Sequence, residues 1–198
     1  NIWHNKNEIP NNGIDDDGNG FIDDTIGWDF TDAPGYLALG DYLTRDNDPF
    51  DESGHGTHVA GIIGAQANNQ LGIAGLAWGC KIMALRAGFS LNNGDYLEDD
   101  DIAAALIYAA DNGARVINLS FGDVVYSRFL EDITEYAYQK GCVLVGSAGN
   151  SSSSQIHYPS GFGHVLSVGS SDRTDTRTDF TNYGTTVDIY APGIELSL

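Results

Sequence analysis

Between residues 81 and 191 short apolar segments alternate with helical ones, and this alternation restricts the chain to a small set of folds. Residues 81–87, 116–119, 143–147, 165–169 and 187–191 read as strands. Residues 57–65, 101–112 and 128–140 read as helices. In 101–112, Ile102, Ala105, Leu106 and Ala109 share one face; in 128–140, Phe129, Ile133 and Tyr136 recur at helical spacing. Gly113 and Gly141 follow these helices as stop signals. Strands separated by whole helices cannot pair as hairpins, so they lie parallel, with helices packed on both sheet faces. The expected fold is α/β, a three-layer sandwich around a mostly parallel central sheet.

Residues 1–51 carry little sustained periodicity and are rich in Asn, Asp, Gly and Pro, so they read as loop. Within an insert at 11–27 lies Asp15-Asp16-Asp17-Gly18-Asn19-Gly20-Phe21-Ile22-Asp23-Asp24. Oxygen donors at Asp15, Asp17 and Asn19, a bend at Gly20, the Phe21 carbonyl and Asp23 match the spacing of an EF-hand-type calcium loop. Ile26 stands where the bidentate Glu belongs, and Asp24 is its nearest substitute. So many carboxylates in one short loop repel each other unless a cation neutralises them, so Ca2+ is the expected ion.

The formal charge is −19, with only 9 Lys and Arg. Such a surface repels nucleic acid and anionic membranes, and neither is an expected partner. Cys80 and Cys142 are too few for a disulfide framework and read as buried free thiols. No apolar run reaches the ~18 residues of a membrane span. Asn1 is not a Met, so the chain reads as a processed product or part of a longer protein.

Three motifs carry chemistry. In Gly54-His55-Gly56-Thr57-His58-Val59-Ala60-Gly61, glycines flank a histidine that opens a helix of small residues. Histidine exchanges protons near neutral pH, as a general base must. His55 and His58 are three apart, whereas the helical zinc-protease motif needs four with an intervening Glu, so zinc needs a third ligand such as His157 or His164. Asn118-Leu119-Ser120-Phe121-Gly122 and Gly146-Ser147-Ala148-Gly149-Asn150 each follow an apolar strand, where function gathers in α/β sheets. A Ser-x-Gly offers backbone groups to an extended peptide, and an Asn after Ala-Gly offers a neutral N–H donor.

Together these motifs resemble those of the subtilisin-like serine proteases, the subtilases. Tyr158-Pro159, Asp179-Phe180-Thr181-Asn182-Tyr183-Gly184 and Ala191-Pro192-Gly193 follow in that family's order. The resemblance implies a subtilisin-like fold and a serine endopeptidase acting on polypeptides. It implies His55 as general base and Asn150 as oxyanion donor. Ser120, Phe121, Gly122, Ala148 and Gly149 would line the pocket for the residue before the cleaved bond, with residues 91–96 as the opposite rim of the groove. Asn69 matches a ligand of the family's tight calcium site, and the acidic insert resembles that of a secreted bacterial branch. A propeptide of the parent protein is a further implied partner.

Two parts of the family's triad are not found. The family's acid lies in Asp-[Ser/Thr]-Gly after an apolar strand; Asp24-Thr25-Ile26-Gly27 lacks that strand. The nucleophile belongs in Gly-Thr-Ser-Met-Ala, and neither Ser120 nor Ser197 has that context. Residues 1–198 are therefore expected to be the central part of a catalytic domain, inactive alone, with the Asp and Ser segments outside it. The alternative is a non-catalytic calcium- or peptide-binding module on the same scaffold.

Overall fold

The computed structural model describes residues 1–194, which fall into two compact units, residues 1–105 and 106–194.

In the first unit, strand β1 (Gly27–Asp29) pairs parallel with β2 (Ala84–Arg86), and β3 (Gly88–Leu91) forms an antiparallel hairpin with β4 (Gly94–Leu97). Residues 81–87 therefore supply one short strand, and the expected rim at 91–96 forms the turn and outer strand of a hairpin. Three residues of Gly-Trp-Asp are too few to show a strand period, which is why β1 reads as loop. Helix α1 (His55–Gly64) starts two residues earlier than expected and is half-buried. Its one buried residue is Gly64, where an added Cβ would meet Cys80 Sγ at 3.0 Å. The chain after α1 folds back, with Leu76 and Ala77 N–H groups donating to the Ile62 and Ile63 carbonyls. These bonds satisfy carbonyls that a helix end leaves open.

Helix α2 (Asp99–Asp111) passes from the first unit into the second, and Ile102, Ala105, Leu106 and Ala109 are all buried as their spacing predicts. Three aspartates in its first turn oppose the positive end of the helix dipole.

In the second unit, β5 (Val116–Leu119), β6 (Val143–Ser147), β7 (Val165–Ser171) and β8 (Ile189–Pro192) form a wholly parallel sheet in sequence order. Burial alternates along it: Ile117, Leu119, Leu144 and Val165 are buried, whereas Val116 and Val143 are more than half exposed. A parallel sheet covered on both faces would bury both sets. Helix α3 (Arg128–Gln139) packs on β6 through Leu130, Thr134 and Ala137. The expected stripe of Phe129, Ile133 and Tyr136 is displaced by one position, and Phe129 is half exposed. Small side chains at 134 and 137 let the helix approach closely, and the Thr134 hydroxyl is satisfied by the Glu131 carbonyl at 2.8 Å. Cys142 is buried, Cys80 half-buried, and both are free thiols.

Candidate active site

His55 is the first residue of α1 and is exposed. The turn before it is built by Gly54, which caps the helix at φ 86°, a left-handed conformation natural to glycine. Glycine has no side chain to satisfy the helix's open N–H groups, and Asp51 does so instead. Its carboxylate accepts N–H bonds from Ser53 at 3.0 Å, Gly54 at 2.8 Å and Thr57 at 2.6 Å. Burial pushes the Asp51 carboxyl up, but the bonds from Thr57, Gly54 and Ser53 outweigh it and hold it below the usual range. A second carboxylate, Asp95 of β4, accepts a 2.6 Å hydrogen bond from Ser53 Oγ. Sequence motifs single out neither residue. Asp51 has a local signature, an Asp three residues before the helix-capping glycine; Asp95 has none, because only the hairpin brings it to Ser53.

In the second unit, β5 and β6 are adjacent and parallel, with Leu119 opposite Gly146. The segments Ser120–Gly122 and Ala148–Asn150 therefore leave the carboxyl ends of two neighbouring strands, which are about 4.8 Å apart where they pair. Asn118 Nδ2 donates to Ser120 Oγ at 2.9 Å. Ala148 is buried and its N–H donates to the Val168 carbonyl at 2.9 Å, while Asn150 is exposed. Gly149 has φ 96°, and a Cβ there would meet Asn182 Nδ2 at 2.5 Å. Buried Asn182 holds this turn: its backbone N–H reaches the Gly149 carbonyl and its Oδ1 accepts from Ser151 and Ser153. His157 Nδ1 lies 3.1 Å from the Ser147 carbonyl, and Nε2 of His164 is 2.5 Å from Glu135. Among the described residues no group of three metal-ligand side chains contains a histidine, which removes support for a zinc centre. Ser197 lies outside the described residues.

The acidic insert divides into two tasks. Asp15 accepts N–H bonds from Gly18, Asn19 and Gly20, and Asp23 accepts them from Asn12 and Gly13, so both carboxylates stabilise turns. The Phe21 ring packs edge-on against Trp28 and Phe30. Of the expected ligands, Asp17 alone enters a carboxylate group, joined by Glu8 and fully buried Asp24, with ligand oxygens within 4.8 Å of one another. Asn5 bridges Asp17 and Asp24, and Asn19 donates to Asp24 at 2.8 Å. Glu8 lies outside the loop motif, and its spacing from it is no known signature. Asn69 sits in a loop, residues 66–74, that lines a shallow, open pocket of about 200 Å³.

A family model described as the subtilase family matches residues 30–197, well over half of the chain. The chain belongs to the subtilase family. Its α/β fold with parallel strands is the subtilisin-like one. Over 176 residues this subtilase is 44% identical to the thermophilic serine proteinase of Bacillus sp. (strain AK1), covering 88% of this chain and 43% of that protein. It is 38% identical over 173 residues to thermitase of Thermoactinomyces vulgaris, covering 87% of this chain and 61% of thermitase. Among solved structures it resembles a protease from Pseudoalteromonas arctica PAMC 21717 with a TM-score of 0.77 and 29% identity, covering 87% of this chain and 57% of that one. The subtilase chain described here thus spans about half the length of the relatives it matches.

Proposed function

We propose that the intact protein is a serine endopeptidase and that this chain supplies its general base, its oxyanion donor and part of its peptide-binding surface. The observation that carries this reading is the pair of neighbouring carboxyl ends of β5 and β6, from which Ser120–Gly122 and Ala148–Asn150 leave. His55 takes the proton of a nucleophilic serine as it attacks the scissile carbonyl and returns it to the leaving amine. The Asn150 amide donates to the oxyanion, and the Ser120–Gly122 backbone pairs with the substrate strand. The acid and the nucleophile come from segments outside residues 1–198, and without them His55 has no serine to activate. We read the protein as secreted and bacterial, like the organisms of its relatives; among the described residues no helix is long and apolar enough to cross a membrane. A propeptide of the parent protein is a further partner under this reading.

Calcium belongs to the same proposal. Glu8, Asp17 and Asp24 present the hard oxygen donors that Ca2+ requires, and Glu8 and Asp24 are buried where uncompensated carboxylates are costly. A cation there ties the N-terminal segment to the acidic loop. The alternative of a non-catalytic binding module fits the same calcium site and predicts no hydrolysis.

The test is peptide hydrolysis and fluorophosphonate labelling of the intact protein. Activity is expected, with His55→Ala abolishing it while the fold is kept. Asn150→Ala is expected to lower kcat by about two to three orders of magnitude, a figure carried over from a subtilisin asparagine in that role. Residues 1–198 alone should remain unlabelled. An intact protein that neither labels nor cleaves refutes the endopeptidase reading and favours the binding module.

A further inference from the structure

Asp95 stands in the middle of β4, directly opposite Ser90 of β3. Ser90 Oγ donates to its Oδ1 and Ser53 Oγ to its Oδ2, both at 2.6 Å. Ser53 is two residues before His55, so the carboxylate is held at the turn that presents the imidazole. Hydrogen bonds from Ser53 and Ser90, and to a smaller extent nearby His55, hold the Asp95 carboxyl below its ordinary pKa, against partial desolvation and the charge of Asp51.

The donors that fix Asp95 are neutral, so they orient its charge without cancelling it. Among the described residues no lysine or arginine pairs with it; Arg86 is taken by Asp29 and Glu52, and Arg45 by Asp32, Asp100 and Asp101. Asp95 is also exposed. A general base must lie within hydrogen-bond reach of the nucleophile at the scissile carbonyl. Side chains flanking the cleaved bond therefore pass beside His55, and an immobilised carboxylate there meets them with little ordering cost.

We infer that Asp95 is a specificity-determining residue that favours substrates carrying lysine or arginine within three residues of the cleaved bond. This rests on the endopeptidase reading. The contrasting role, a strap that only joins the hairpin to the His55 turn, needs the hydrogen bonds but not the charge.

The test is kcat/KM of the intact protease on peptides with Lys, Gln or Glu placed in turn at each of those positions. At one position Lys is expected to exceed Gln by about five-fold, the upper end for an exposed ion pair, with Glu poorer still. This order should collapse in 1 M salt, where the screening length is about 3 Å. Asp95→Asn keeps a hydrogen-bonding amide between Ser53 and Ser90 and should lose the Lys preference, bringing the Lys-to-Gln ratio of kcat/KM toward one. Asp95→Lys should reverse it. Cleavage by the wild type without charge preference, a preference indifferent to salt, or one that survives Asp95→Asn overturns the inference and leaves the endopeptidase reading intact. Should Asp95→Asn not fold, the salt response of the wild type and a preference retained by Asp95→Glu decide. A wild type that cleaves none of the peptides refutes the endopeptidase reading itself, and Asp95 falls with it.

Discussion

Replacing Asp101 by Asn should remove a pH-dependent weakness of the fold. The Asp101 side chain is fully buried in the first turn of α2; Arg45 donates to its Oδ1 at 2.7 Å, and among the described residues its Oδ2 has no hydrogen-bond partner. Burial pushes the carboxyl up, Arg45 pulls it back, and Asp100 and Asp32 oppose Arg45, leaving it at about 6 against 3.8 in the unfolded chain. Between those values the native state holds the proton and the unfolded state does not, so stability falls as pH rises through the window. At 1.36 kcal/mol per pH unit, the loss from pH 4 to pH 7 is on the order of 3 kcal/mol. Asparagine keeps an acceptor for Arg45 and cannot ionise. Urea unfolding at several pH values should show the Asp101→Asn variant gaining on the wild type by about that amount between pH 4 and 7, with the gap opening most steeply near pH ~5, midway between the two pKa values. The partner change checks the logic: Arg45→Met should cost about 3–5 kcal/mol at pH 7 by stranding a buried carboxylate, and less at pH 4.5, where the carboxyl is protonated. Wild-type and Asp101→Asn curves that run parallel from pH 4 to 7 would refute this account.

Four further outcomes are expected. Asp51→Ala removes the acceptor for three N–H groups at the start of α1 and should cost about 0.5–2 kcal/mol at pH 7; because the Asp51 carboxyl is lowered in the native state, this gap should close as pH falls below about 4. Leu144, 1% exposed in β6, should cost about 2–5 kcal/mol when cut to Ala, read by chemical denaturation. Gly149→Ala combines a left-handed backbone with a Cβ 2.5 Å from Asn182, so it should destabilise by about 1–3 kcal/mol and disturb Asn150, visible as a shifted Asn150 amide resonance. Thermal melts in calcium and in chelator should separate, by about 2.7 kcal/mol at 100 Kd of free Ca2+, and Asp24→Ala should close the gap more than Asp15→Ala.

Much of the second unit is legible in its amino-acid sequence. Strands 116–119, 143–147 and 165–169 and helix 101–112 are local patterns, and hydrophobic periodicity reports them within a residue or two. The buried stripe of helix 128–140 lies one position away from the one its periodicity suggests, because apolar size points to Phe129 while close packing on β6 selects Thr134 and Ala137. Small residues carry no hydrophobic signal that distinguishes a tight contact from an exposed position.

The first unit is far less legible. Its 1–51 segment is held by side-chain to backbone bonds, and these have no period. The motif around His55 and the segment ending at Asn150 are contiguous residues with strict backbone demands, so the sequence alone determined the family and singled out His55 and Asn150 as the candidates for general base and oxyanion donor. The acidic insert is read as a cation loop from its composition and spacing. Which carboxylates converge was decided only by tertiary structure: Asp15 and Asp23 turn to nearby N–H groups, and Glu8 arrives from outside the motif. The same holds for Asp95, placed at the His55 turn by a hairpin 40 residues downstream, and for Asp101, desolvated by burial beside Arg45. The physical reason is common to all of them. Backbone conformation is written in neighbouring residues, whereas electrostatic environment is set by groups distant in sequence and by the water they exclude.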